Sequence, residues 1–488
     1  MTVDSKTYAS DCKILSIALH KASEDDKVHV NLIQMAGGFQ YFEDITCPAY
    51  AGNITVVDNE ENLISNMPLQ GFEKLVFKVS IKNGDGTTET TYEYPFRVWK
   101  ILNRVVKDRR NVYSLALISD DGLINEGLRV NRILEGTPTQ VVEKLLDDYL
   151  NKGSTGIPFD SEDSDGKIKM LPAKKTPFSI IRSIQHKCIP VKKSSVKTVG
   201  LEVQPFQGES YVSQTSDVDA TNKAKGTAGF LFFRTYRGYV FKSIDTLCEV
   251  GENTPSKVVS GSASPVTFSN EKDYFRYSAA KVENDGDERK IQEVVFEDQL
   301  DIMEKMRDGA YSSIVSFFNI NTFEYDEQVY SLSDVWDDMV HLGSQTKLPV
   351  GQTKLSKYPT RVMSTVINNE SWYSGSGPAE NDSDVKDLQK SYLAQSIARF
   401  GILSNQKLTI SLTGHLELCA GDKIEVRIPN QVTDEKRTET DTWDPEHSGT
   451  YLISKLNHQF DIPNQTVYTV LDLIRDSYGI RDKESKTQ

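Results

Sequence analysis

The 488-residue chain lacks the local signatures that usually carry catalysis. It has no GxxxxGKS/T phosphate loop, no HExxH, no GxSxG and no GxGxxG, which removes the common carriers of nucleotide, zinc-protease, serine-hydrolase and dinucleotide chemistry. Seven histidines (His20, His29, His186, His341, His415, His447, His458) never fall at i,i+4 spacing, so no local metal pair exists. Five cysteines (Cys12, Cys47, Cys188, Cys248, Cys419) are odd in number and form no CxxC, which argues for free thiols in a reducing compartment. Basic residues are also short: 56 Lys+Arg face 70 Asp+Glu, a net charge of −14. That balance opposes a general nucleic-acid binder and docking on anionic membrane. No run of about 18 apolar residues occurs. Met1–Lys6 has no basic region leading into an apolar core, so neither a transmembrane helix nor a signal peptide is expected, and synthesis in the cytoplasm is.

The chain does contain what an ordinary folded protein needs. It is 38% hydrophobic and 26% charged, and its length allows about three domains at roughly 150 residues each. Alternating runs at Lys13–Leu19, Leu75–Ile81 and Tyr113–Ile118, with a turn at Asn83-Gly84-Asp85-Gly86, predict a small antiparallel β unit. Helices are predicted over Thr139–Leu150, after Thr137-Pro138, and from Thr176-Pro177 to Cys188, before Pro190. Ser161–Gly166 between them reads as an exposed loop. Phe230–Phe233, a turn at Arg237-Gly238 and Tyr239–Phe241 predict an aromatic hairpin. Helices are then expected at Glu297–Met306 and Val385–Phe400, with a mobile loop at Asn368–Asp384. Strands follow at Leu408–Leu412, Lys423–Ile428, Tyr451–Leu456 and Val467–Leu473.

Three segments near the start return in order near the end. Gly71-Phe72-Glu73-Lys74-Leu75 resembles Gly421-Asp422-Lys423-Ile424. Trp99-Lys100-Ile101-Leu102-Asn103 resembles Ile453-Ser454-Lys455-Leu456-Asn457, and Val112–Asp120 resembles Val467–Asp476. Alternation alone makes half-buried strands look alike; the other reading is one β unit present twice, around inserted α+β material.

Candidate chemical motifs favour bland readings. Counting from Gly166 or Gly286 as the sixth position of a calcium loop leaves Ser161 or Lys281 at the first, so both read as solvated turns. Ser374–Pro378 reads as a loop, and Asp147/Asp148 and Asp337/Asp338 as surface pairs. Arg237–Ile244 is similar to an RNA-stacking strand, but Val240, Lys242 and Ile244 depart from that pattern, and a core-facing hairpin is the better reading. No catalytic, cofactor-binding or metal residue is assigned.

Four segments together resemble the baseplate hub proteins of contractile-tailed bacteriophages, related to the hub part of type VI secretion spikes. They are Ile54–Asp58 through Leu69–Leu75, the hairpin Phe230–Leu247, Leu408–Ile428, and Ser448–Ile453 through His458 to Arg475-Asp476-Ser477. The resemblance spans nearly the whole chain but matches no individual residue over about 310–400. It implies a multidomain α+β protein, mainly β, with two similar tube-like antiparallel β-barrels. The expected division is 1–118 for the first barrel, 119–250 for an α+β middle domain with the hairpin, and 251–480 for the second barrel with an insertion around 310–400. Residues 481–488 are expected to be a flexible tail. The resemblance further implies a non-enzymatic homotrimer without cofactor, located in the virion tail baseplate and assembled in the bacterial host cytoplasm. Its partners would be the tail tube protein, the central spike protein, the tape-measure protein and the baseplate wedge proteins. DNA would pass through without specific binding, and no membrane insertion is implied. The acidic balance then leads to an expected acidic channel that repels phosphate. The alternatives are a carbohydrate- or receptor-binding virion protein, with exposed aromatic platforms, and a two-carboxylate glycan hydrolase.

Overall fold

The computed structural model describes residues 10–21, 29–58, 69–82, 89–107, 110–150, 156–191, 227–249, 275–279, 290–297, 301–320, 323, 325–336, 339–343, 357–366, 372–373, 382–429, 444 and 446–477. Asn83–Gly86, Gly286, Asp337/Asp338, Ser374–Pro378 and the 481–488 tail lie outside these residues.

The chain is mainly β with helices interspersed. It opens with β1 (Lys13–His20), β2 (His29–Asn31), β3 (Ala36–Asp44), β4 (Ala51–Asp58), β5 (Lys74–Lys82), β6 (Glu89–Lys107) and β7 (Arg110–Ile118). A middle region follows: α1 (Asp120–Gly127), β8 (Leu134–Gly136), α2 (Pro138–Tyr149), β9 (Phe159–Ser161), β10 (Lys167–Met170), α3 (Pro177–Gln185), β11 (Phe230–Thr235), β12 (Gly238–Ser243) and α4 (Ile244–Cys248). Next come β13 (Phe275–Ser278), β14 (Ile291–Phe296), α5 (Ile302–Arg307), β15 (Ser312–Phe318), β16 (Tyr325–Ser331), α6 (Leu332–Val335), β17 (Arg361–Val366), β18 (Trp372–Tyr373) and α7 (Asp382–Leu403). The chain closes with β19 (Gln406–Thr413), β20 (Lys423–Arg427), β21 (Gly449–Asp461) and β22 (Thr466–Arg475).

Local chemistry explains most of these elements. β4 alternates strictly, burying Gly52, Ile54, Val56 and Asp58 on one face. α2 begins with Pro138 behind a reciprocal capping box between Thr137 and Gln140. α3 starts at Thr176-Pro177 with a one-way cap, Thr176 Oγ1 accepting from Ser179 N, but stops at Gln185, short of Cys188. The helix expected from Glu297 begins only at Ile302, behind an Asp301 cap. Ser161–Gly166 is no free loop: Ser161 ends β9, Ser164 Oγ accepts from Thr139 N at 3.0 Å, and Glu162 Oε2 accepts from Ser243 N and Oγ at 2.9 and 2.7 Å.

One large sheet runs β14-β19-β22-β21-β3-β4-β7-β6-β5-β1-β2, with β20 also on β21 and β13 on β20. It has two arms, joined where β21 pairs with β3 and Phe460 stands opposite Phe39. The arms share one pairing scheme. β4-β7-β6-β5 in the first corresponds to β19-β22-β21-β20 in the second, all antiparallel. Ile54 faces Leu115 as Ile410 faces Leu471, and Leu75 faces Phe96 as Ile424 faces Tyr451. Two irregularities correspond too, whereas a further slip of β6 between Leu102 and Val105 has no counterpart in β21. β6 slips between Val98 and Lys100 where β21 slips between Ile453 and Lys455. β3 slips between Ala36 and Gly38 where β14 slips between Ile291 and Glu293. A slip of one residue flips every following side chain, so matched slips keep matched faces.

Before the shared strands, Phe72 N bonds Val98 O and Gly421 N bonds Ile453 O, both at 2.9 Å. The counterpart of Gly421 (φ 86) is therefore Phe72 (φ 69), one step from the Gly71 that the sequence likeness aligns. Leu102, and not Asn103, corresponds to Asn457. The arms differ at the edge, where β1 is antiparallel to β5 but β13 is parallel to β20.

A single apolar cluster fills the sheet interior from both arms. At its centre Phe39 stacks on Phe77 with centroids 4.2 Å apart, and Phe460 of the other arm lies 4.9 Å from Phe77. A bridge between Asp11 and Thr466 returns the start of β1 to the start of β22, so the first arm curls back on the β21–β22 hairpin. A second cluster gathers α2, α3, β11, β12, β15 and α7, and a third, smaller one joins it to the sheet.

Candidate functional site

The middle region meets the sheet through ionic contacts, and the tip of the hairpin β11–β12 supplies one of them; a second hairpin arginine pairs within the middle region, with Asp121 of α1. Its strands are buried nearly throughout, because Phe230, Phe232, Tyr239 and Phe241 point into the second cluster while Leu231 and Phe233 point into the third. The aromatic strand is therefore core, and offers no stacking face for bases.

At the hairpin tip, Arg237 Nη1 and Nη2 each donate to one Asp422 oxygen at 2.7 Å, and Nη2 also donates to Glu417 O. A planar guanidinium suits this forked geometry. Gly421 makes room: an added Cβ would lie 2.6 Å from the Phe233 ring. Beside this contact Glu43 is buried and accepts from Tyr41 OH at 2.6 Å, Ala420 N at 2.7 Å and Tyr236 N at 2.5 Å. Burial pushes the Glu43 carboxyl above its ordinary value, against the pull of those donors and of Arg237. One carboxylate thus ties together β3, the hairpin turn and the loop before β20.

On the first arm's side, Arg234 Nε lies 3.4 Å from Asp121 Oδ2, and its guanidinium sits 4.7 Å from the Tyr239 ring centroid and 5.5 Å from that of Tyr50. At the end of β22, Asp476 is fully buried and accepts from Arg399 Nη1 at 2.6 Å and Leu342 N at 3.1 Å. His341 Nδ1 lies 2.8 Å from Oδ2, the same oxygen that Arg399 reaches, while Leu342 N bonds Oδ1. Burial alone would raise the Asp476 carboxyl, but Arg399 and His341 hold it well below the usual carboxylate range. These contacts position elements; none presents a nucleophile with a base.

The fold is similar to that of phage tail proteins. A tail protein from Neisseria meningitidis aligns over 94% of this chain and 96% of its own, at 10% identity and TM-score 0.46. A prophage tail protein from Shewanella oneidensis aligns over 94% and 98%, at 9% identity and TM-score 0.45. An Escherichia coli component of the type VI secretion system aligns over 96% and 79%, at 9% identity and TM-score 0.32. Tail proteins and a type VI secretion component thus stand among the structures this chain is similar to. No protein-family model matches the chain, and no curated protein matches it.

Of the weighed carboxylate pairs only Asp147/Asp148 lies among the described residues, and it is not in a cleft. Asp147 and Asp148 lie on the outer face of α2, where Asp148 pairs with Arg132. A groove of about 380 Å³ crosses the seam between β3 and β21, lined by Phe42, Ala51, Leu456 and Val470 with Asp44 and Asp472. Both carboxylates are already engaged: Asp44 accepts from Thr46 N and Oγ1 at 2.7 Å, and Asp472 from Thr409 Oγ1 at 2.9 Å. Among the described residues no group of three His, Cys, Asp or Glu side chains is placed to hold a metal ion. Sequence reading missed Glu43, Asp121, Arg234 and Arg399 altogether. Asp422 and Arg475-Asp476 stood inside the repeated segments, and their recurrence beside apolar strands was the one available signal.

Proposed function

We propose that this chain is the structural, non-enzymatic hub of a contractile-tail baseplate. Three copies form a ring, each contributing two barrels of one kind, so that six similar units meet a sixfold tail tube while the threefold ring seats the central spike. The division 1–118, 119–250 and 251–480 then separates the two barrels from the material between them.

The observation that carries this reading is the shared pairing scheme with its matched slips. It also supplies the contact between copies. Within the chain the arms join where β3 pairs with residues 455–461 of β21. The counterparts are β14 and residues 100–107 of β6, and among the described residues both have an unpaired edge. Repeating the internal joint between copies places Val295 opposite Val105 and Val294 opposite Val106. Val105 is 58% exposed and Val295 44%, as unpaired edge residues would be. A head-to-tail joint of this kind closes into a ring when its rotation divides the circle.

The aromatic platforms that a glycan-binding reading needs are not in the hairpin, whose rings face the core. An acidic channel follows from the chain's charge, and a basic lining in the assembled ring would overturn that part. The test is native mass spectrometry with a Val105→Cys/Val295→Cys variant in a Cys47→Ser background. The expected result is a trimer whose copies are joined by disulfides on oxidation. A chain that stays monomeric at high concentration and forms no cross-link would overturn the ring.

A further inference from the structure

The turns before β5 and β20 are counterparts, yet only one has its carboxylate fully engaged. At the second, Asp422 Oδ2 accepts from Cys419 N at 2.9 Å, and its two oxygens take the Arg237 fork. At the first, Glu73 holds the place of Asp422: Val98 N bonds Glu73 O as Ile453 N bonds Asp422 O, both at 2.9 Å. Glu73 Oε1 accepts from Gln70 N at 2.6 Å, the same three residues back. Among the described residues its Oε2 has no hydrogen-bond partner, although Glu73 is only 1% exposed. Leaving a buried carboxylate oxygen without a donor is costly, and native structures rarely do it without a reason. Arg97 on the adjoining strand is committed elsewhere, its Nε to Asp120 at 2.6 Å and its Nη1 to Phe72 O at 3.1 Å.

The same turn exposes two large rings. Phe72 is 63% exposed and held at φ 69, which a residue with a Cβ adopts only at a cost. Trp99, next to the Val98 that bonds Phe72, is 53% exposed. Two exposed aromatic residues at the turn that carries a buried carboxylate oxygen without a donor have the composition of an interface anchor. The occupant cannot be a copy of the β11–β12 hairpin. At Gly421 the Phe233 ring fills the space a Cβ would need, and Phe72 has that Cβ.

We propose that the Gly71–Glu73 turn, with Phe72 and Trp99, is a docking site for an arginine-bearing, apolar β-turn of a partner protein, whose guanidinium takes Glu73 Oε2. Phe72 and Trp99 cover the flanking apolar side chains, and opening of the strained Phe72 turn admits the arginine. This site follows from the shared strand pairing and not from the hub reading, so either can fail alone.

The probe is a cyclised hairpin peptide with Tyr-Arg-Phe at its turn, titrated into the full-length chain by calorimetry and by nuclear magnetic resonance of indole-labelled tryptophan. Saturable binding with a dissociation constant near or below about 1 mM is expected, with the Trp99 signal shifted. Glu73→Gln should weaken it at least tenfold. If that variant fails to fold, the peptide with citrulline in place of arginine makes the same comparison on the native chain. Equal binding of the arginine and citrulline peptides, or no binding by the arginine peptide, would overturn the proposal. Self-association of the wild-type chain that Glu73→Gln abolishes would replace the partner with a second copy and overturn the proposal as stated.

Discussion

Replacing Arg237 by Met removes the fork that fastens the hairpin tip to the second arm. Three hydrogen bonds disappear, two to Asp422 at 2.7 Å and one to the Glu417 carbonyl, while the aliphatic part of the side chain is kept. Breaking a fully buried ion pair from one side costs about 3–5 kcal/mol, mostly because the other charge is left stranded. Here both side chains keep 23% exposure, so water can partly re-solvate Asp422, and about 2–4 kcal/mol is the fitting range. Glu43 adds to the loss, since its buried carboxyl also feels Arg237. For a cooperative unit of domain size this corresponds to a fall in Tm of roughly 5–10 °C. Asp422→Asn should cost a similar amount. The Arg237→Met/Asp422→Asn double variant should then recover about 1.5–3 kcal/mol relative to the sum of the singles. Urea unfolding followed by tryptophan fluorescence measures all three. Strictly additive losses, or a single variant within about 0.5 kcal/mol of wild type, would refute the idea that this pair clamps the hairpin.

Two further perturbations test other parts of the fold. Burial, with the neighbouring His415 adding to it, lowers the pKa of His458 from 6.5 to about 3. The unfolded chain therefore binds the extra proton first: stability is complete above pH 6.5 and falls as the pH drops towards 3, by up to about 1.4 kcal/mol per unit. Asp476 behaves differently, since its depressed carboxyl keeps its contribution until the pH falls below the ordinary carboxylate range. Melting curves at pH 7 and pH 5 should thus converge in a His458→Gln variant, and an unchanged slope would show that another group titrates. The paired turns give the other test. Gly421→Ala should cost about 1–3 kcal/mol through its φ of 86 and the Phe233 clash, whereas Phe72→Gly should gain up to about 1 kcal/mol by relieving the left-handed conformation. Differential scanning calorimetry of the two variants should show Tm shifts of opposite sign.

Much of the architecture was legible because it is local. β4, β19 and β22 alternate plainly, and Thr137-Pro138 and Thr176-Pro177 announce their helices by capping chemistry. The likeness between the two ends was also readable, through Lys74 and Lys423 or Lys100 and Lys455. It was misread by one step at the turn, because glycine was aligned with glycine while the backbone bonds align Phe72 with Gly421. The Ser161–Gly166 stretch looked solvated because its residues are polar, but Glu162 and Ser164 spend that polarity on buried backbone donors.

The sequence by itself determined the plainly periodic strands and the capped helices, the absence of the common catalytic motifs, and a net acidity of −14. Those properties follow from periodicity, caps and counting, all of which act within a few residues. Only the tertiary structure decided which charges are buried. Arg237 meets Asp422, Arg399 meets Asp476 and Glu43 meets Ala420 across long stretches of chain, and in sequence each looks like one more solvated charge. Tertiary pairing also decided that β21 serves both arms, and that of two corresponding carboxylates one is clasped while Glu73 keeps an oxygen free among the described residues. A charge is costly or harmless according to what covers it, and that depends on the whole fold.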